Sequence, residues 1–363
     1  MKYKYLAMLF IINNLLGRHS AKGTLSPTKY ARGFTLQLDV TNACNLACTH
    51  CYHPNHNNDG ALTLDQWKAV VDQHVALCRS LNRLPRFIIC GGEPLSYRNL
   101  IPLLQYLTPM QMPKDPILIL SNGTLISERL AHGLRPFDVA FQISLDGPDA
   151  ARHDPIRGPG AFAKAVRGIE ILKAAGIGVQ ILSVLSDRSR MWVRDFFELA
   201  KRLGVPRMSF TRLIPEGHAK NVGAGSAEVS APRPLSPVEL RAAYHEIWRA
   251  AKETGISTGT NKPLYHLIDS TIGKSGRWGF DAYVVDYKGN LKISSRIPVT
   301  VGNVLSDGGL EHLFLTHPTF RALRAGKVEK CGSCRYFFEC GGDRNAAFAE
   351  FGSVLAPDPG CWV

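Results

Sequence analysis

No stretch of this chain is apolar for long enough to span a bilayer as a helix, which takes about 20 consecutive residues. The best candidate is the N-terminal MKYKYLAMLFIINNLLGRHS, where Asn13-Asn14 interrupt the apolar run and no small-residue cleavage site follows cleanly. Residues 1–30 are therefore read as a helical segment docked on the main body of a cytoplasmic protein without a transmembrane segment. Long basic runs and the aromatic-interleaved strands of nucleic-acid modules are missing too, so no nucleic-acid partner is expected. The chain is nevertheless basic, with 43 Lys and Arg against 30 Asp and Glu and a net charge of +13. By itself that balance suits an anionic substrate, a nucleic acid or an acidic peptide, or is general surface basicity. Repeats and low-complexity tracts are absent. The nine cysteines form no even disulfide framework, and their odd count and tight clustering point to metal in a cytosolic chain.

What is present is a regular alternation. Strand patterns at 34–40, 86–90, 116–121, 139–145, 178–185 and 206–213 alternate with helical patterns at 62–81, near 99–107, from Ser127, at 161–176 and at 191–203. Six uninterrupted strand–helix units favour a parallel sheet with right-handed crossovers. Curled up, this is an α/β fold, a partial (β/α)6 TIM-like barrel over 31–216, with its chemistry at the strand C-terminal ends. Residues 217–258 read as a Gly/Ala/Ser/Pro-rich linker and a bridging helix, which Ser236-Pro237-Val238-Glu239 opens as a capping box. A β-hairpin is expected at 283–294, inside a small, loop-rich, cysteine-rich C-terminal domain over 259–363. A domain with so little core often relies on a metal.

The loop leaving the first strand reads TNACNLACTHCY and carries Cys44, Cys48 and Cys51. A cubane iron–sulfur cluster takes four thiolates, so three from one loop leave one iron open, as a reactive site requires. Zinc is the alternative, although C-x3-C-x2-C is not a usual zinc spacing. With an aromatic residue, Tyr52, after the last cysteine, the loop resembles the signature of the radical S-adenosylmethionine enzymes. Gly91-Gly92-Glu93-Pro94 after the second strand resembles that family's GGEP motif, with Cys90 where a Thr usually stands. The resemblance implies a [4Fe–4S] cluster on the three cysteines and S-adenosylmethionine chelated by the open iron. One-electron cleavage of that cofactor then yields a 5′-deoxyadenosyl radical that abstracts hydrogen, with the electron coming from a flavodoxin- or ferredoxin-type donor.

Carried over residue by residue, the resemblance assigns cofactor contacts to Gly91, Gly92, Glu93 and Pro94. It adds Asn122 after the third strand, Ser144 and Asp146 after the fourth, Arg157 for the methionyl carboxylate and the backbone of Leu213 beside the adenine. For Asn122 and Asp146 a turn-forming role is the alternative. Near the C-terminus, Cys331-x2-Cys334-x5-Cys340-x20-Cys361 offers four thiolates, enough for a closed [4Fe–4S] or zinc site. The spacing resembles the distal half of the SPASM domain of peptide-modifying radical enzymes. The proximal half departs from it, with Ser275 and Ser294 in cysteine positions, Arg344 at the C-x3-C position, and Ser295 where sulfatase maturases carry a basic aspartate. One auxiliary [4Fe–4S] cluster is therefore expected.

The expected activity is hydrogen abstraction from a ribosomally made peptide that is cross-linked, epimerised or oxidised. A small molecule such as a sugar or tetrapyrrole is the alternative substrate, and a non-catalytic iron–sulfur or zinc protein is the alternative of another class. Cys90, His218, Tyr283 and Asp286 are further titratable residues considered for quenching a substrate radical, each with a structural alternative.

Overall fold

The computed structural model describes residues 33–53, 55–221, 232–259, 263–271 and 281–363. The N-terminal segment, most of the expected linker loop and Ser275 lie outside them. Strand β1 (Gly33–Asp39) buries Phe34, Leu36 and Leu38 on one face and turns Gln37 and Asp39 to the other. Helix α1 (Leu64–Ser80) begins at a capping box between Thr63 and Gln66 and buries Trp67, Val70, Val71, His74 and Cys78, the stripe of an amphipathic helix. Cys78 is thus a core residue.

The alternation continues through β2 (Leu84–Cys90), α2 (Leu100–Leu107), β3 (Ile117–Ser121), α3 (Glu128–Leu134) and β4 (Val139–Ser144). It goes on through α4 (Ala150–Arg157), α5 (Ala161–Ala174), β5 (Gly178–Leu185), α6 (Val193–Arg202) and β6 (Arg207–Arg212). Neighbouring strands from β1 to β6 pair in parallel. The helix expected to end at Gly176 stops at Ala174, and Gly176 takes a φ of +78° just beyond it. Helix α7 (Pro237–Thr254) opens on the expected capping box of Ser236 and Glu239.

The C-terminal segment extends this sheet on both sides. Strand β7 (Ser257–Gly259) adds in parallel to β6 and lies across the expected boundary at 258/259. Strand β8 (Ala282–Val285) adds in parallel to β1, and β9 (Asn290–Lys292) and β10 (Thr300–Asn303) follow antiparallel. The hairpin is thus present, but its first strand also covers the backbone edge of β1, whose N–H and C=O groups would otherwise be left unpaired. Asp286 is consumed in the hairpin turn, accepting from the backbone N–H of Lys288 and Asn290. Tyr283 is a core residue whose hydroxyl lies 2.5 Å from His74 Nδ1.

Two consecutive residues show how the sheet curls. Ser295 accepts a hydrogen bond from Gln37 on β1 (2.6 Å), while Arg296 Nη1 donates to Thr211 Oγ1 on β6 (3.1 Å). A flat sheet would hold those strands about 24 Å apart, five inter-strand spacings, and a curled one brings both within reach of residues 295–296. Among the described residues no helix is long and apolar enough to cross a membrane.

Candidate active site

The cysteine loop leaves the C-terminal end of β1 and is braced on three sides. Gly92 N donates to Thr41 O and Glu93 N to Ala43 O, each at 2.8 Å. Thr49 N donates to the carbonyl of Ile156 in α4, and His218 N to the carbonyl of Cys51. The two glycines of the GGEP segment answer to this packing: a Cβ on Gly91 would lie 2.3 Å from Thr41 O, and one on Gly92 2.3 Å from Ala43 O. Their smallness is required by the backbone of the cysteine loop itself.

Burial raises the pKa of all three thiols, that of Cys51 to about 11; neighbouring cysteines add to this at Cys44 and Cys51, Asp146 and Glu93 at Cys48, and Arg157 partly offsets it. Three clustered thiols that resist ionisation become stable thiolates when a cationic metal group joins them, because metal binding displaces their protons. The donor set therefore fits a cluster.

Behind the loop lies a closed polar network. The fully buried Glu93 carboxylate accepts from Ser121 Oγ (2.8 Å), Asn122 N (2.8 Å) and Leu95 N (3.1 Å). Burial still leaves its pKa raised. Pro94 starts the short turn that this carboxylate caps. Asn122 Nδ2 reaches Asn45 Oδ1 in the cysteine loop (2.9 Å), and its own Oδ1 holds Thr124.

Asp146, also buried, accepts from Arg157 Nε (2.5 Å), pairs with His50 Nε2 (2.7 Å) and accepts from Val184 N (2.8 Å). Burial alone would raise its pKa, but Arg157 and His50 outweigh burial and hold it well below the usual carboxylate range. Arg157 in turn places Nη1 4.0 Å from Cys48 Sγ. Ser144 ends β4, and Leu213 is anchored just past β6 by donating to Leu185 O. The structure thus gathers these residues at the C-terminal ends of the strands. It shows Glu93, Asp146 and Arg157 engaged with the chain's own groups.

On the opposite sheet face Asp39 and Arg296 were not singled out by their motifs, whereas Cys90 was. Asp39, one alternation beyond Gln37, accepts from Gln37 Nε2 (2.9 Å), and burial pushes its pKa up to about 6 against Gln37, Ser295 and Lys292. Burial raises the Cys90 thiol well above the ordinary value, and the charge of Asp39 adds to this. The period-2 pattern of β1 was the available signal for Asp39. Nothing local marks Arg296.

A family model for the radical SAM superfamily matches residues 38–200. The chain is 31% identical to an AdoMet-dependent heme synthase of Oleidesulfovibrio alaskensis, over 89% of this chain and 85% of that protein. It is 32% identical to the mycofactocin maturase MftC of Mycobacterium tuberculosis, over 90% of this chain and 82% of that protein. The chain belongs to the radical SAM superfamily. Its fold matches that of SuiB from Streptococcus suis, solved with S-adenosylmethionine bound (TM-score 0.69, 16% identity, 91% of this chain and 77% of that one). The architecture is accordingly the partial TIM-like barrel of radical SAM enzymes, and membership implies a [4Fe–4S] cluster and S-adenosylmethionine.

The C-terminal cysteines of this radical SAM protein are free thiols that line one cavity of about 210 Å³, together with Leu264, Tyr336 and Phe337. Backbone N–H of Leu264 points at Cys340 Sγ (3.2 Å), that of Tyr336 at Cys334 Sγ (3.5 Å), and Arg344 Nη2 at Cys331 Sγ (3.6 Å). Donors aimed at sulfur suit thiolate ligands of a cluster. Among the described residues no three His, Cys, Asp or Glu side chains stand as a ready site for a single metal ion. Arg344, in the C-x3-C position, is fully buried and also donates to the carbonyls of Val354 and Ala356. Asp343 caps helix α8 (Arg344–Phe351) through the N–H groups of Asn345 and Ala346.

Proposed function

We propose that Cys44, Cys48 and Cys51 hold the radical SAM [4Fe–4S] cluster. In this reading Gly91, Gly92, Glu93, Pro94, Asn122, Ser144, Asp146, Arg157 and Leu213 line the S-adenosylmethionine site, and Cys331, Cys334, Cys340 and Cys361 hold one auxiliary [4Fe–4S] cluster. With both groups bound there, the site would supply the reductive radical chemistry of the superfamily, hydrogen abstraction from the substrate. The chain's own residues orient and insulate this site. Glu93 fixes Asn122 against the cysteine loop, and Asp146 holds Arg157 charged beside Cys48. The observation that carries the reading is the three-thiol loop packed backbone to backbone on GGEP at the C-terminal end of the first strand.

The substrate is a ribosomally made peptide, a reading supported by the mycofactocin maturase relatives and by the net charge of +13, which suits an acidic leader. A tetrapyrrole is the second reading, favoured by the heme synthase relatives. The enzyme works in the cytoplasm with a flavodoxin- or ferredoxin-type donor, and residues 259–363 form its SPASM-like auxiliary domain. The test is anaerobic reduction of the reconstituted protein with S-adenosylmethionine alone, then with a peptide encoded beside its gene or with iron coproporphyrin. Methionine and 5′-deoxyadenosine are expected in each reaction, with a mass change in the peptide. Altered porphyrin with unaltered peptide would shift the assignment to the second reading, and no cofactor cleavage under reduction would overturn both.

A further inference from the structure

Residues 294–296 cross the face of the sheet that looks away from the helices. Ser295 is tied to Gln37 of β1, and Arg296 Nη1 to Thr211 Oγ1 and to the main-chain carbonyl of Arg212, each at 3.1 Å. Neighbouring side chains on β6 point opposite ways. Thr211 lies on the face Arg296 approaches, whereas Arg212 turns to Asp358 and meets both its oxygens at 2.9 Å. The Arg296 guanidinium is therefore inside the curled sheet. It lies within electrostatic reach of Tyr52, the residue that follows Cys51.

The buried and half-buried arginines here divide into two kinds. Arg157 rests on Asp146, Arg212 on Asp358, and Arg344 on three carbonyls and a sulfur. Arg296 forms no ion pair among the described residues. Its Nη2 is closed off from solvent and has no partner among them. Burial lowers its pKa, and the charge of Asp343 offsets this only in part. A guanidinium confined with an idle donor is costly unless an anion completes it. The planar fork of arginine fits a carboxylate with two parallel hydrogen bonds.

We propose that Arg296 is the receptor for a carboxylate of the substrate, seated inside the curled sheet between β6 and the cysteine loop. This deepens the reading above and rests on it. The anchor would orient the substrate from the segment that, in this chain, carries Ser294 in a cysteine position. Peptide C-termini and tetrapyrrole propionates share this chemistry, and the test separates them.

Binding is measured anaerobically on the reconstituted holoenzyme with S-adenosylmethionine present. The probes are coproporphyrin III and its tetramethyl ester, and a fluorescein-labelled pentapeptide pool with free or amidated C-termini. The acid form of one pair is expected to bind roughly tenfold or more tightly than its neutral form, the worth of a charge-assisted bond. Which pair shows the difference identifies the source. Arg296→Gln should abolish that preference, and Arg296→Lys should keep part of it. Equal binding of acid and neutral forms to the wild type overturns the proposal with no variant needed. So does an Arg296→Gln protein that keeps the preference, or one that loses affinity for S-adenosylmethionine instead, which would assign the guanidinium to the cofactor. If Arg296→Gln does not fold, Arg296→Lys with the same probes decides. Cofactor cleavage by the wild type, assayed separately, tells failure of this inference from failure of the functional reading.

Discussion

Asp146 has its carboxylate divided among Arg157, His50 and the backbone N–H of Val184, with almost no exposure to water. Asp146→Asn keeps the shape and removes the charge, leaving Arg157 buried without its counterion. Loss of one partner of a buried pair costs about 3–5 kcal/mol, so urea unfolding of the variant should show a midpoint lowered accordingly. A change below about 1 kcal/mol would mean that water or the cofactor, and not Asp146, balances Arg157. Asp39 predicts the opposite sign. Its folded pKa lies above the unfolded value, so the folded state binds the proton more tightly, and stability is lost as pH rises from about 4 through about 6. Asp39→Asn should therefore be the more stable protein at pH 7.5, by up to about 3 kcal/mol for two pKa units. The two proteins should converge near pH 4, and parallel stability–pH curves would show that Asp39 ionises freely.

At the scale of elements, the site is an agreement between two loops. The GGEP segment after β2 and the cysteine loop after β1 meet through main-chain atoms, so there is no flexible side chain to yield. Gly91→Ala or Gly92→Ala puts a methyl 2.3 Å from a carbonyl oxygen, and Gly91 also sits at φ +134°, where an L side chain is strained. Each variant should displace the cysteine loop, losing the iron of that loop while far-UV circular dichroism stays native. Gly133→Ala in α3 is the control, since an added Cβ there meets nothing within 4 Å, and a helical Ala is at least as stable as Gly. Full iron loading in the Gly91 and Gly92 variants would mean that the loop accommodates itself.

At the scale of the whole molecule, two cysteine groups from opposite ends of the chain are joined through one sheet and one buried ion pair. Arg212 at the end of β6 grips Asp358, which also accepts from the N–H groups of Asp343 and Gly360 beside the C-terminal cavity. With four irons per cubane, the reconstituted protein should carry about eight irons. About four should remain after Cys44/Cys48/Cys51→Ala, and about four after Cys331/Cys334/Cys340/Cys361→Ala, as read by anaerobic iron and sulfide determination. Zinc retained in the first variant, with no iron, would make the C-terminal site structural and end any role for it in electron relay.

The barrel and the cysteine loop could be read from the chain because their determinants are local. Apolar period 2 against 3.6 marks strands and helices, and the thiol spacing lies within eight residues. The Ser236 capping box and the Gly176 stop are likewise written in neighbouring residues. The alliance of β8 with β1 was not legible: Ala282–Val285 is four residues long and carries no trace of a partner 247 residues away. The same holds for Asp286, which supports a turn, and for Arg296, whose idle nitrogen exists only because curling brings β1 and β6 to adjacent residues. Sequence alone determined the units and the spacing of the thiols. Tertiary structure decided which polar groups are satisfied and which are left waiting, because burial and long-range contact set the cost of a charge and neither is a property of the residue itself.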